Sequence, residues 1–159
     1  MNSVPWYRAG LRFQCQRCGR CCSGKPGDVL MSESEARAMA DALHLEFADF
    51  CQRYLADGAG RFFKLREVKS PFGSDCIMLE RDSRQPRLCR CKVHQVRPTQ
   101  CRTWPFWEEN LESQLSWKKA KRRCPGLDKG ELVELKQIEA QSRQDAQASA
   151  EIWQNATED

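Results

Sequence analysis

The sequence predicts an α+β fold that is rich in helices and stabilised by metal, on the strength of three observations. Ten cysteines occur in 159 residues, whereas Leu, Ile, Val and Phe together supply only 29 residues, or 18% of the chain. So few apolar residues predict a thin core, which metal–thiolate bonds can supplement because the free energy of metal binding becomes free energy of folding. Amphipathic helix patterns flank one alternating stretch that indicates a short β-hairpin.

The first helix is predicted from its capping residues. Ser32 and Glu35 form a capping box, in which each side chain accepts a backbone N–H of the other, and the helix should end near Leu43. Apolar periodicity predicts three further helices, over residues 46–55, 108–123 and 131–153. The last of these contains no Gly or Pro and is the longest.

The hairpin is predicted from two segments, one in which apolar and polar residues alternate and one that indicates a second short strand. Residues 61–69 form the first strand, residues 75–80 form the second, and Pro71 and Gly73 make the turn. No repeat or linker is visible, so we expect a metal-binding domain over residues 1–130 followed by a helical extension over residues 131–159. Irregular, cysteine-rich loops should connect these elements.

The densest motif is a C-x2-C-x2-C-C run that places four thiols in eight residues. It consists of Cys15, Cys18, Cys21 and Cys22. Thiolates are good ligands for zinc and for iron in iron–sulfur clusters, and Gly19 supplies the backbone freedom that a ligating turn needs. The first three cysteines also match the opening of bacterial ferredoxin motifs. The run therefore predicts a metal site without choosing the metal.

A second group of cysteines follows in the C-terminal half, at Cys76, Cys89, Cys91, Cys101 and Cys124. Proline lies close to two of them: Pro98 and Pro105 bracket Cys101, and Pro125 follows Cys124. Proline fixes φ and removes a backbone donor, which helps to orient a neighbouring thiolate.

Taken together, four separated motifs resemble the CxxCxxCC cysteine-cluster family of YkgJ-type zinc- or iron-chelating domains. The motifs are Cys15–Cys22, Cys76–Leu79, Cys91–Pro105 and Cys124–Gly126. The resemblance implies eight metal ligands: Cys15, Cys18, Cys21, Cys22, Cys76, Cys91, Cys101 and Cys124. It also implies an iron–sulfur cluster, in particular 4Fe-4S, or zinc as the cofactor. Eight thiols could form two four-ligand sites, or hold one cluster with thiols to spare.

Three candidate residues fall outside or depart from that pattern. Cys51 lies on a helix face and is expected to pack as a small apolar residue. Cys89 is an alternative ligand beside Cys91. His94 stands where the family often has Tyr, so it either ligates the metal or packs as an aromatic ring.

Basic residues are concentrated near the second cysteine group. Seven of them lie between Arg81 and Arg102 against the single acid Asp82, and five more lie between Lys118 and Arg123. They could form a solvated face, stabilise an anionic thiolate centre, or bind nucleic acid. Nucleic-acid binding is the least favoured of the three, because no fold signature for it is visible.

These patterns support a small cytoplasmic metal-binding protein with a redox or cluster-dependent role. No apolar leader or membrane span is visible, and clustered thiols are typical of a reducing compartment. The alternative is a structural zinc module that binds a partner through its basic segment, the aromatic stretch from Trp104 to Trp107 and its C-terminal helix. A thiol enzyme that uses Cys21 and Cys22 is a weaker third hypothesis, and no conventional catalytic constellation is present. The oligomeric state is left open.

Overall fold

A computed structural model describes residues 4–57 and 62–157 of the chain. It confirms the predicted fold class: helices, small antiparallel strand pairs and a long C-terminal helix. The helices are α1 Glu33–Ala42, α2 Phe47–Tyr54, α3 Thr99–Thr103, α4 Glu108–Leu111, α5 Gln114–Arg123 and α6 Leu135–Thr157. The strands are β1 Leu11–Phe13, β2 Leu30–Met31, β3 Phe63–Lys64, β4 Glu67–Ser70, β5 Gly73–Cys76, β6 Leu79–Arg81, β7 Cys89–Cys91 and β8 Leu127–Val133.

The strands form four separate antiparallel pairs: β1 with β8, β2 with β3, β4 with β5, and β6 with β7. A hairpin occurs where it was predicted, as β4 and β5, and it pairs Glu67 with Cys76 and Ser70 with Gly73. Both predicted strands divide, because Phe63–Lys64 pairs with β2 and Leu79–Arg81 pairs with β7, so the hairpin itself consists only of Glu67–Ser70 and Gly73–Cys76. Residue 61, at the start of the predicted first strand, lies outside the described residues.

A first hydrophobic cluster lies under α1 and α2. Its fully buried members include Met39, Ala40 and Phe50 from the helices, Met31 from β2 and Met78 from the turn between β5 and β6. Helix α1 begins with the predicted capping box: Ser32 Oγ accepts from the Glu35 N–H, and the Glu35 carboxylate accepts from the Ser32 N–H at 2.9 Å. The start of α1, one of the two helices over this cluster, is therefore well specified by the local sequence.

A second hydrophobic cluster contains more aromatic residues. Leu11 of β1, Phe106, Trp117 of α5, Leu127 of β8 and Ile138 of α6 are buried together. The rings of Phe106 and Trp117 stack with their centroids 6.0 Å apart. Because β1 and β8 lie at opposite ends of the chain, this cluster forms only when both ends meet.

Two predicted helices have different bounds in the structure. Residues 131–133 belong to strand β8, because Val133 pairs with Leu11 of β1, so α6 starts only at Leu135. The helix predicted over 108–123 is interrupted because Ser113 is extended and caps α5 through the Ser116 N–H. The proposed division into domains 1–130 and 131–159 stays a prediction.

Candidate metal centre

The CxxCxxCC run folds as a tight loop after β1. Gly19 has a φ of 68° and begins a 3₁₀ turn over Arg20–Cys22. A Cβ at this position would stand 2.7 Å from the Cys89 sulfur, so only glycine allows this approach. Gly19 therefore not only shapes the loop, as predicted, but also leaves room for the Cys89 side chain.

The later cysteines reach the same region from regular elements. Cys76 ends β5, Cys89 and Cys91 begin and end β7, and Cys101 lies within α3. In the strand pair β6–β7, Leu79 lies opposite Cys91. This register fixes the position of Cys91 relative to the turn that follows Cys76.

Cys124 is brought to the loop by the segment that follows α5. The Gln14 N–H donates to the Gly126 carbonyl at 3.0 Å, one residue before Cys15. A Cβ on Gly126 would meet the Gln14 carbonyl oxygen at 2.3 Å. The Cys-Pro-Gly motif is therefore docked directly against the backbone that leads into the first cysteine.

A cavity of about 360 Å³ lies where these segments converge. Six of the eight predicted ligands line it, together with Cys89: Cys15, Cys21, Cys22, Cys76, Cys91 and Cys101. Cys18 instead lines a neighbouring depression of about 340 Å³, which shares Gly19 with the cavity. Cys124 is half-buried at the edge of the second hydrophobic cluster.

All ten cysteines lie in the described part of the chain and are free thiols. The sulfurs of Cys21 and Cys22 are 3.6 Å apart. Within residues 4–57 and 62–157, no three Cys, His, Asp or Glu side chains are arranged as ligands of one ion. The cysteines thus surround a space larger than a single ion, and the division of the eight thiols between sites stays a prediction.

Cys21 is the electrostatic centre of the group. A hydrogen bond from Cys22 and the Arg123 and Arg97 guanidinium groups outweigh burial and lower the pKa of Cys21 to about 7. Burial raises the pKa of Cys76 to about 11 and that of Cys101 to about 12, and the charge of Cys21 adds to both effects. It also contributes to the raised pKa values of Cys91 and Cys124. A metal that binds here must therefore displace protons from several thiols.

Among the described residues that line the cavity, four are arginines and none is a carboxylate. The four are Arg17, Arg90, Arg97 and Arg123. Of these, Arg90 is paired with Glu80 at 2.5 Å, whereas Arg97 and Arg123 act on Cys21. Cations beside thiolates favour the deprotonated, metal-binding form.

A buried ion pair beneath the loop holds the cysteine segments in register. Arg81 of β6 donates to both carboxylate oxygens of Asp75 at 2.8 Å, to Ser23 Oγ at 2.9 Å and to the Cys89 sulfur at 3.4 Å. These bonds lower the pKa of Asp75 and raise that of Arg81. Sequence reasoning treated Arg81 only as part of a basic run, although the placement of Asp75 directly before Cys76 was a usable signal.

The chemistry of the wall fits a thiolate-bound metal centre. Soft sulfur donors, nearby cations and a shielded N–H donor on Trp104 that lacks a partner in the described residues are what such a centre requires. Helix α3 and the residues after it place Trp104 on the wall, and Phe106 and Trp117 hold the second cluster behind it.

The residues outside the family pattern are placed as follows. Cys51 packs against the first hydrophobic cluster, as predicted, away from the cavity. Cys89 is buried on the cavity wall, so it is brought to the candidate site although the family pattern omits it. His94 also lines the cavity, although the residue as a whole is exposed. Partial desolvation of its ring and the charge of Arg97 lower its pKa.

Comparison with known proteins agrees with this architecture. Residues 14–125 match the CxxCxxCC family, described as a "putative zinc- or iron-chelating domain", and the chain belongs to that family. It is also similar to the uncharacterized protein MJ0661 of Methanocaldococcus jannaschii, with 28% identity over 100 residues. The match covers 63% of this chain and 48% of that protein, so the chain spans about half the length of this curated relative. No solved structure matches the chain.

The family therefore supports metal binding by a cysteine-rich domain. Across the described residues, none of the helices combines the length and the apolar character that crossing a membrane requires.

Proposed function

We propose that this protein carries an iron–sulfur cluster, of the 4Fe-4S type, on cysteines in and beside the cavity. The observation that carries the proposal is a cavity of about 360 Å³ walled by seven cysteines and four arginines without a carboxylate. A single zinc ion needs only four ligands about 2.3 Å away, whereas a polynuclear cluster occupies a larger space between its thiolates. The candidate ligands remain Cys15, Cys18, Cys21, Cys22, Cys76, Cys91, Cys101 and Cys124.

The charge of the wall supports the same proposal. A cluster held by four thiolates is anionic, and its burial is costly unless cations lie nearby. Arg97 and Arg123 face Cys21 and supply that charge. Acidic side chains, which suit calcium or magnesium instead, are absent from the residues lining the cavity.

The proposed role is redox or cluster-dependent chemistry in the cytoplasm. Cys15 and Cys21 are exposed at the cavity, so the centre would lie close to the surface. Such a position suits electron exchange, cluster delivery or redox sensing more than a deeply buried structural role. A reducing compartment would keep the ten free thiols available for metal.

A structural zinc module is the second candidate, favoured by one distance. The Cys21 and Cys22 sulfurs are 3.6 Å apart, close to the separation of about 3.8 Å between two thiolates at 2.3 Å from one tetrahedral zinc. In that case a protein partner would bind the exposed basic residues and the C-terminal helix, because Pro105 and Phe106 of the aromatic stretch are buried.

Metal and acid-labile sulfide analysis of anaerobically purified protein, with its visible spectrum, decides between the two. About four iron and four sulfide per chain and a brown colour would support the cluster, because Cys₄ clusters absorb in the visible range. Eight of each would indicate two clusters on all eight thiols. Zinc without sulfide in a colourless protein would overturn the cluster proposal and support the structural module.

A further inference from the structure

One side-chain nitrogen in the described part of the chain is buried without a hydrogen-bond partner: Nε1 of Trp104. A buried donor that makes no hydrogen bond costs about 1 to 3 kcal/mol. Native proteins keep few such groups, and each calls for a specific explanation. For Trp104, the position of the indole beside the cysteines provides that explanation.

Trp104 stands between the second hydrophobic cluster and the cysteines. It follows α3, which carries Cys101, and its side chain lines the cysteine cavity. It packs against the second cluster, as does Cys124. The indole N–H makes no well-formed hydrogen bond to any acceptor among the described residues, and the Cys124 thiol is close enough for the indole to act on it.

Trp107 provides a comparison within the same turn. Its ring meets that of Trp104 edge-on, with the centroids 4.7 Å apart, and it also lines the cavity. Its own N–H donates to the Gln100 carbonyl at 3.0 Å and lies 3.2 Å from Thr103 Oγ1. The fold thus satisfies one indole with protein acceptors and leaves the other without one beside the cysteine cavity.

We propose that the Trp104 indole N–H donates a hydrogen bond to a sulfur of the metal centre, namely the thiolate of Cys124. A neutral thiol is a weak acceptor, whereas a metal-bound thiolate is charged and accepts strongly. The Trp104 N–H therefore gains its acceptor when metal binds and the Cys124 thiol loses its proton. This inference rests on the proposed metal centre and assigns Trp104 as a positioning residue that tunes it.

The bond has a defined electronic consequence in an iron–sulfur protein. An N–H donated to a ligand sulfur withdraws electron density and stabilises the reduced, more negative state. Loss of the donor should therefore make the reduction potential more negative. A structural contact without a hydrogen bond would not produce this shift.

The experiment compares Trp104→Phe with Trp107→Phe in anaerobically purified full-length protein. Iron and sulfide are measured first, and the midpoint potential is then determined by redox titration. We expect equal iron in both variants and a roughly tenfold lower reduced-to-oxidised ratio for Trp104→Phe at a fixed potential, about 59 mV for a one-electron couple. Trp107→Phe should match the wild type. No shift in Trp104→Phe, or equal shifts in both variants, would overturn the proposal.

Trp104→His covers the case in which Trp104→Phe fails to hold its iron. Histidine keeps a ring N–H donor, so iron retained in Trp104→His but lost in Trp104→Phe would support the hydrogen bond. Loss in both would show that ring shape matters and the donor does not, which overturns it.

If the wild type contains zinc instead, the cluster proposal fails but the inference about Trp104 is still tested. Zn²⁺ is then added to metal-free wild-type protein while the indole N–H signals are followed by NMR. The Trp104 signal should move downfield on zinc binding and that of Trp107 should stay in place. Absence of this selective shift would refute the bond to sulfur.

Discussion

The two hydrophobic clusters meet the cysteine site in different ways. The first is built on α1 and α2, which carry none of the predicted ligands, although Cys76 and Cys91 pack against it and Met78 and Val93 of its core line the cavity. The second borders three segments that bear ligands: Phe13 leads into Cys15, Trp104 follows Cys101, and Cys124 packs against it directly. We therefore expect the first cluster to form from local helix signals, and the second, whose strands β1 and β8 are far apart in sequence, to depend more on the metal.

The largest effect is expected from removing a predicted metal ligand. Cys101→Ser or Cys18→Ser should lower the metal content by at least half and destabilise the fold, because the free energy of metal binding is part of the folding free energy. Hydrogen exchange should show greater loss of protection in α5 and β8 than in α1. Metal analysis and exchange measured on the same samples check both statements.

Cys51→Ser is the matched control for that change. Cys51 packs against the first cluster, away from the cavity, so the variant should keep its full metal content. Equal metal loss in all three variants would contradict the ligand assignment. Equal loss of protection in α1 and α5 after metal removal would contradict the difference between the clusters.

The complementary change is Phe50→Ala in the first cluster. Phe50 is fully buried and its ring stacks on Tyr54 at 5.4 Å. The substitution should reduce the free energy of unfolding by about 3 to 5 kcal/mol through lost burial and a cavity. Urea unfolding measures this loss, and metal per folded chain should be unchanged. A drop in metal content comparable to that of Cys101→Ser would show that the two clusters are not separable.

The local signals in the sequence explain which parts of this contrast could be predicted. The capping box at Ser32 specifies the start of α1 within four residues, so this element was predicted correctly. The last three residues of β8, 131–133, were assigned to a helix because the segment that they begin contains no Gly or Pro, and the pairing with β1 more than 110 residues earlier overrides that local signal.

The same reasoning separates the site into predictable and unpredictable parts. The motifs predict which cysteines are candidate ligands, and six of these eight line one cavity. The surrounding bonds were not predicted, because Arg81 meets Asp75 and Ser23 only after β5, β6 and the loop have assembled. Cys89 was left as an alternative because it falls outside the family pattern, and its place on the wall depends on a close approach to Gly19, 70 residues away in sequence.

A smaller effect is expected from the ion pair that joins the loop to the strands. Asp75→Asn should cost about 3 kcal/mol, because it leaves Arg81 largely buried without its counter-charge. The pKa of Asp75 lies below its usual value, so the wild type holds this contribution at neutral pH. It loses the contribution as the pH falls through the folded-state pKa. Unfolding measured at neutral and acidic pH should show the two proteins converging in acid.

Asp128→Asn is the matched control for the Asp75 change. Asp128 pairs with Lys121 on the surface, where both side chains are about half exposed, and the amide oxygen can still accept from Trp117. This variant should change stability by less than about 1 kcal/mol. A similar cost for both variants would mean that burial of the Asp75–Arg81 pair does not matter.

The smallest change tests the link between the first cluster and the metal site. Ser32→Ala removes the cap of α1 and should cost about 1 kcal/mol, with no change in metal content. Glu35 has a second task, because its other oxygen accepts from the Thr99 N–H at 2.8 Å and the Thr99 hydroxyl at 2.7 Å, at the start of the helix that carries Cys101. Glu35→Ala should therefore also weaken metal binding, measured by competition with a chelator. If Ser32→Ala weakened it equally, α1 itself, and not this one carboxylate, would support the cysteine site.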